Sequence, residues 1–222
     1  MVKQNLQSSS TQTAPTRRER QAEQTRTEIL NAARRLFAAE GYAATSVKDI
    51  ASEAGVSVQT VYDSVGSKSD LVRRLNDLID VEARVGEIAM RMATSTDPRE
   101  VARLPAMITR RIVERCEDIL RGSLDAARAE HELSHVLEEG GRRHRAGTRS
   151  FAERLAALDA LAEGVDVEQA AVTIAALADF RVALLLIDDH GLDLDAVENW
   201  MATMTARAVL RRDEPNHDSI AT

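Results

Sequence analysis

The stretch DIASEAGVSVQTVYDSVGSK, residues 49–68, joins two short apolar-periodic runs through Ala54-Gly55-Val56-Ser57. Too few residues separate the runs for a long loop, so the chain must turn a sharp corner there. Gly55 permits the corner, because glycine alone enters the left-handed backbone region without penalty. Ala51 is small enough to let two helices approach, and Ile50, Val56 and Val61 are spaced to fill the gap between them. Ser57 is placed to cap the second helix. On spacing alone two readings stand: a plain helical hairpin, or a helix-turn-helix whose second helix enters the major groove of DNA.

In the groove reading, Ser57, Val58, Gln59, Thr60 and Tyr62 face the bases. Gln59 can donate and accept at an adenine edge, and Val58 can touch a thymine methyl. Lys68 starts the next helix, where its ammonium and the helix N-terminus both favour a phosphate. Lys48 and the Thr45 hydroxyl are placed for phosphates on the other side. The charge distribution agrees. The chain carries a net charge of -7, yet residues 1–76 hold eleven Lys and Arg against eight Asp and Glu. A mildly basic head on an acidic body suits an anionic partner met only by the head.

The rest of the sequence reads as helix throughout. Ala and Leu dominate the apolar residues and only six residues are aromatic, which favours helix over sheet. Helices are expected from Arg17 to Gly41, from Thr45 or Ser46 to about Ala54, from Ser57 to about Ser64, and as one long helix over 67–94. Beyond Asp97-Pro98, helices are expected over 98–120 with a kink at Pro105, 123–129, 132–162, 166–189 and 193–211. Gly140-Gly141 weakens the helix they sit in by about 1 kcal/mol per glycine against alanine. Residues 1–16, rich in Ser, Thr and Gln, read as a disordered arm, and 213–222 as a flexible tail. No apolar run is read as long enough to span a bilayer, no signal peptide is evident, and the single Cys116 cannot form an internal disulfide. These features point to a cytoplasmic protein with no membrane partner.

The segment RTEILNAARRLFAAEGYAATSVKDIASEAGVSVQTVYDSVGSKSDLV, residues 26–72, closely resembles the DNA-binding domain of TetR-type transcriptional repressors. The likeness runs through the first helix with Phe37, EGY at 40–42, TSVKDIA at 45–51, AGVS at 54–57, TVY at 60–62 and GSK at 66–68. More loosely, GLDLDAVENWMATMTARAVL at 191–210 is similar to the last helix of such regulators, with Trp200 at the usual tryptophan place. The resemblance implies an all-α protein. Its N-terminal three-helix helix-turn-helix domain, 17–72, would be followed by a helical effector-binding and dimerisation domain, 73–212. It implies a homodimer joined through the helices near 166–189 and 193–211, bound to a partly palindromic double-stranded DNA operator and released by a small-molecule effector. No cofactor and no covalent chemistry are implied. The DNA-contacting positions carried over are Thr45, Lys48, Ser57, Gln59, Thr60, Tyr62 and Lys68, beside Val58 and Ser64. One departure follows the tyrosine. Where the family usually has a second aromatic or histidine and then phenylalanine, this chain has Asp63-Ser64-Val65. Ser64 can still donate to a phosphate, but Val65 is a smaller plug under the turn. Arg17, Arg18 and Arg20 are either an arm on the DNA or a solvated first turn.

HELSH, residues 131–135, is a competing signal. On a helix, H-E-x-x-H puts His131 and His135 on one face beside Glu132, the arrangement of zinc peptidases. Against it, no third ligand is evident (Glu153 is nearest by spacing), no strand is expected, and His131 falls at a helix end. The candidates for effector contact are Met90, Met107, Arg111, His135, Phe151 and Arg181. Asp179 and Arg181 interrupt an apolar run and need partners: across a dimer, or for Arg181 a ligand carboxylate. Cys116 is either a buried structural thiol or an oxidant sensor. A helical adaptor whose head binds protein is a further alternative.

Overall fold

The computed structural model describes residues 16–212, in which ten α-helices and one short 3-10 turn make up the secondary structure. The arm and tail expected at 1–15 and 213–222 lie outside the described residues; Thr16, expected within the arm, caps the first helix. Helix α1 (Arg17–Glu40) starts with a reciprocal capping box between Thr16 and Glu19 and stops at Gly41, whose φ of +83° ends the helix. It buries Ile29, Ala32, Ala33 and Phe37 on one stripe. Helices α2 (Val47–Glu53) and α3 (Val58–Val65) follow, and Ile50, Ala51, Val61 and Val65 close the space between them and α1.

Helix α4 (Lys68–Glu82) is shorter than expected. At Arg84 the backbone turns left-handed, with φ 54°, and a separate α5 (Val85–Thr94) begins. The break separates two apolar clusters. Ile79, near the end of α4, belongs to a core shared with α1, α2, α3, α6 and α10, whereas Ile88 of α5 enters a second core with Phe151, Leu155 and Ile174.

Helix α6 (Pro98–Ala129) runs where two were expected. Asp97 caps it, accepting from the Arg99 amide, and Pro98 fits its first turn. Pro105 lies inside it, but the non-helical backbone falls at Cys116 (φ -133°, ψ 18°) rather than at the proline. There the Arg115 carbonyl accepts a hydrogen bond from Arg34 of α1 at 2.7 Å. A 3-10 turn (His131–Leu133) leads into α7 (Ser134–Ala157), which stops short of the expected 162 because Asp159 turns left-handed and the chain pairs at Leu161 with Leu210.

The apolar stretch expected as one helix over 166–189 is two: α8 (Val167–Leu177) and α9 (Phe180–Asp188). Asp179 separates them, capping α9 by accepting from the Arg181 amide at 2.8 Å. By length and composition Val167–Asp188 is apolar enough to cross a membrane, with 22 residues and mean hydropathy 2.1, contrary to the sequence reading. Asp179 and Arg181 mask this when runs are counted by unbroken apolar residues. Helix α10 (Leu194–Val209) is capped by Asp193 and packs back on α6 and α8.

Candidate functional site

The corner forms as its residues dictate. Gly55 takes φ +67°, and Val56 returns its amide to the Ala51 carbonyl at 2.9 Å, closing the end of α2. Ser57 accepts from the Thr60 amide at 3.0 Å, and the two hydroxyls lie 2.8 Å apart. Val61 and Val65 point into the core, so the opposite face of α3 is left outside: Val58, Gln59, Tyr62 and Asp63, with Ser57 at its start. Thr60 and Ser64 are half-buried at the edges. Gln59 donates from Nε2 to Asp63 Oδ1 at 2.7 Å, so its Oε1 and its second Nε2 proton are left to meet a partner. Lys48 is exposed on α2. Arg17, Arg18 and Arg20 lie in the solvated first turn of α1.

Two expected DNA contacts sit differently. Thr45 is buried, 2 % exposed, and its hydroxyl donates to the Gly41 carbonyl at 2.8 Å. It closes the α1–α2 turn and does not face a phosphate. Lys68 donates from Nζ to the carbonyl oxygens of Tyr42 (2.9 Å) and Thr45 (3.1 Å) and stands 3.9 Å above the Tyr42 ring. It pins the same turn to the start of α4. The α4 N-terminus beside it is capped by Ser67 and Asp70, whose carboxyl is held below its usual range first by the Ser67 hydroxyl bond.

The N-terminal helices are fastened to the body at three points. Arg74 of α4 reaches the Val65 carbonyl. Asp125 of α6 accepts from the Tyr42 amide at 2.8 Å. Arg34 of α1 pairs with both Glu82 of α4 and Asp118 of α6. Cys116 lies 3.6 Å from Glu82 Oε2, and burial, then the Glu82 charge, push its thiol up to about 12. A thiol so protonated is not a reactive thiolate.

A cavity of about 210 Å3 opens between α4, α6, α7 and α9. From α7, Gly140, His144, Gly147, Thr148 and Phe151 present one helical stripe to it; a Cβ at Gly140 or Gly147 would meet nothing within 4 Å. Of the expected effector residues, Phe151 and Arg181 line it. The other four do not. Met90 is exposed, Met107 packs on the second core, Arg111 pairs with Glu87, and His135 takes a hydrogen bond from Arg73 Nε at 3.3 Å. Asn76, Asp80, Thr109 and His144 replace them. Asp179 and Arg181 satisfy each other rather than a distant partner. Burial pushes the Asp179 carboxyl up, but the Arg181 and backbone bonds outweigh it and hold it below the usual range.

The metal alternative fails on geometry. His131 sits in the 3-10 turn and His135 in the first turn of α7, so no single helix presents both. Among the described residues no group of three metal-ligating side chains forms, and Glu153 is taken by Arg149.

Residues 29–75 match the family described as bacterial regulatory proteins, tetR family. No curated protein matches the sequence. Among solved structures, the chain is similar to SmeT in its triclosan complex, at 22% identity over 87% of this chain and 96% of that one, with TM-score 0.68. It is similar to NalD, the secondary repressor of the MexAB-OprM multidrug efflux pump in Pseudomonas aeruginosa, at 22% identity over 85% and 98%, with TM-score 0.67. A protein described as a TetR-family transcriptional regulator from Syntrophomonas wolfei aligns at 16% identity over 82% and 93%, with TM-score 0.69. At these identities the likeness is one of fold, and the family rests on the N-terminal match. Residues 29–75 therefore belong to the TetR family of bacterial regulatory proteins, and the chain as a whole has the all-helical fold of TetR-type transcriptional regulators.

Proposed function

We propose that the protein is a ligand-responsive transcriptional repressor. It binds a partly palindromic operator as a homodimer, reads it through α3, and leaves it when a small molecule occupies the cavity. The observation that carries this reading is the double role of α4. Its first two turns hold the N-terminal domain, Lys68 through the turn before α2 and Arg74 through the Val65 carbonyl at the end of α3, and its last two turns line the cavity through Asn76, Ile79 and Asp80. A ligand that prefers a shifted α4 thereby prefers misplaced reading helices. A preference of about 3 kcal/mol weakens operator binding about a hundredfold. The SmeT complex with triclosan, on the same fold, supports a small-molecule effector here.

In this reading Val58, Gln59 and Tyr62 face base edges, with Ser57, Thr60, Ser64 and Lys48 on the backbone. Thr45 and Lys68 act from beneath by fixing the turn that α3 rests on. The dimer forms through α8, α9 and α10, where Val172, Leu185 and Trp200 are exposed apolar side chains. Such a protein acts in the cytoplasm, where its DNA is, and performs no covalent chemistry. A gel-shift with DNA flanking its own gene, with and without candidate ligands, tests the reading. A specific complex of two protomers per site is expected. Equal affinity for that DNA and for random DNA of the same length overturns it.

A further inference from the structure

The polar chemistry of the cavity identifies the class of molecule it takes, given the reading above that the effector binds there. Three polar side chains on its wall are more than nine-tenths buried: Asn76 of α4, Thr109 of α6 and Thr148 of α7. Both threonines give their hydroxyl protons to the fold. Thr109 donates to the Ala178 carbonyl at 2.6 Å, and Thr148 to the Arg145 carbonyl at 3.1 Å. The Asn76 amide is oriented by its neighbours. Ser123 Oγ donates its one proton to the Ile119 carbonyl at 2.7 Å, so toward Asn76 Nδ2, 2.6 Å away, it can only accept. The Val72 carbonyl, 2.9 Å from the same nitrogen, can also only accept. Both Nδ2 protons are thus used, and reversing the amide would set Oδ1 against two acceptors. Oδ1 accepts nothing from the described residues and is left facing the cavity.

Charge gives the second constraint. Asp179 is matched by Arg181, and Asp80 faces Arg143 at 3.7 Å. Arg181, Asp80 and Arg143 are part-exposed, at 60%, 48% and 37% of their side chains, and stand at the rim, while Asp179, at 14%, is held inside by Arg181. The interior therefore offers an acceptor with no partner among the described residues, Asn76 Oδ1, beside the lone pairs of the Thr109 and Thr148 hydroxyls, in an apolar, charge-balanced space that includes Ile79, Ile108, Phe151 and Phe180. Its volume lies between the roughly 150 Å3 that encloses benzene and the roughly 300–1,000 Å3 of drug-sized pockets.

We propose that the effector is a neutral, largely apolar molecule of one or two rings, or of similar bulk, carrying a hydroxyl or N–H donor that Asn76 Oδ1 accepts at the buried end of the cavity. A ligand without the donor would leave that oxygen desolvated and unpaired, which costs affinity.

Calorimetric titration of the full chain, without DNA, tests this with four bicyclic probes: 2-naphthol, 2-methylnaphthalene, 2-methoxynaphthalene and 2-naphthoate. 2-Naphthol should bind about five- to tenfold more tightly than the methyl and methoxy compounds, which cannot donate. The preference should vanish in Asn76→Leu and persist in Arg143→Gln. Should Asn76→Leu not fold, the hydroxyl-to-methoxy ratio on the unaltered protein still decides. Equal affinities, or 2-naphthoate binding tightest through the rim arginines, overturn the proposal. No binding of any probe by protein that still shifts operator DNA overturns it as well, and leaves the DNA reading standing.

Discussion

Arg74 of α4 donates from Nε to the main-chain oxygen of Val65 at 3.0 Å, so the last turn of α3 is closed by a cation from the next helix. A positive group at a helix C-terminus satisfies an orphan carbonyl and complements the helix dipole. Arg74→Met keeps the apolar stem and removes the donor. Hydrogen bonds from charged groups are worth about 1.5–3 kcal/mol, and Arg74 is exposed, so the lower end applies. We expect operator affinity to fall roughly tenfold by fluorescence anisotropy, a 1.4 kcal/mol effect, with helix content by circular dichroism unchanged.

The reading face separates two kinds of lysine. Lys48→Ala should weaken specific and random DNA alike and reduce the salt slope of log K by about one. Lys68→Met should do something different. It frees the Tyr42 and Thr45 carbonyls and should lower the melting temperature as well as affinity. Gln59→Ala should relax sequence choice with little effect on random DNA. An unchanged melting temperature for Lys68→Met would refute the pinning role.

Arg34 lies between Glu82 and Asp118, with side chains a fifth to a third exposed. Burial pushes the Asp118 carboxyl up, but the bonds and charge of Arg34 outweigh it, with help from the Ile119 amide, and its net value is depressed. The stability this gives is present above the ordinary carboxyl range and lost as pH falls through the depressed value. Arg34→Met should cost about 1–2 kcal/mol at neutral pH after allowing for solvent screening. The melting difference from the unaltered protein should narrow as pH is lowered to about 3. A difference that stays constant with pH would sink this account.

Gly140 contributes empty space rather than backbone freedom. It lies within α7 and is not among the positive-φ glycines, and a Cβ there meets nothing. Gly140→Ala should raise stability by roughly 1 kcal/mol, seen as a melting temperature about 2–4 °C higher. Gly140→Leu should fill the cavity and abolish naphthol binding while operator binding persists.

Leu185 and Trp200 leave much of their apolar surface in solvent, on α9 and α10. Leu185→Glu would put a charge on each side of the proposed twofold interface. Sedimentation should then show monomers, and operator binding should fall by orders of magnitude, because two half-sites no longer share one protein. Dimers that persist in this variant would place the interface elsewhere.

The N-terminal domain was legible because its signals are local. Gly55, Ser57 and the Ile50–Val56–Val61 spacing each constrain the chain within a few residues: Ile50 and Val61 are buried and Val56 packs partly buried against them. The sequence does not show that the Lys68 ammonium reaches the Tyr42 and Thr45 carbonyls, or that the Thr45 hydroxyl turns back on the Gly41 carbonyl, because both depend on how the turn before α2 folds. The break at residue 84 is not legible either, since Arg84 carries no turn signal, being neither glycine nor asparagine, yet takes a left-handed backbone. The cavity left one readable trace, the stripe Gly140, His144, Gly147, Thr148, Phe151. Read as helix-weakening, its glycines are better read as room. Asn76 gave no trace, because its role depends on Ser123, far away in the chain.

The left-handed residue at position 84 ends α4 after fifteen residues, a rod of about 22 Å at 1.5 Å per residue. In the reading proposed above, the break at Arg84 is where this rod tilts relative to α5. A tilt of only about 5° at one end carries the other end by about 2 Å over that length. Over a groove whose bases recur every ~3.4 Å, that is more than half a step, so a displacement too small to disturb the packing around Phe151 is enough to put a side chain between two rungs of the ladder it reads.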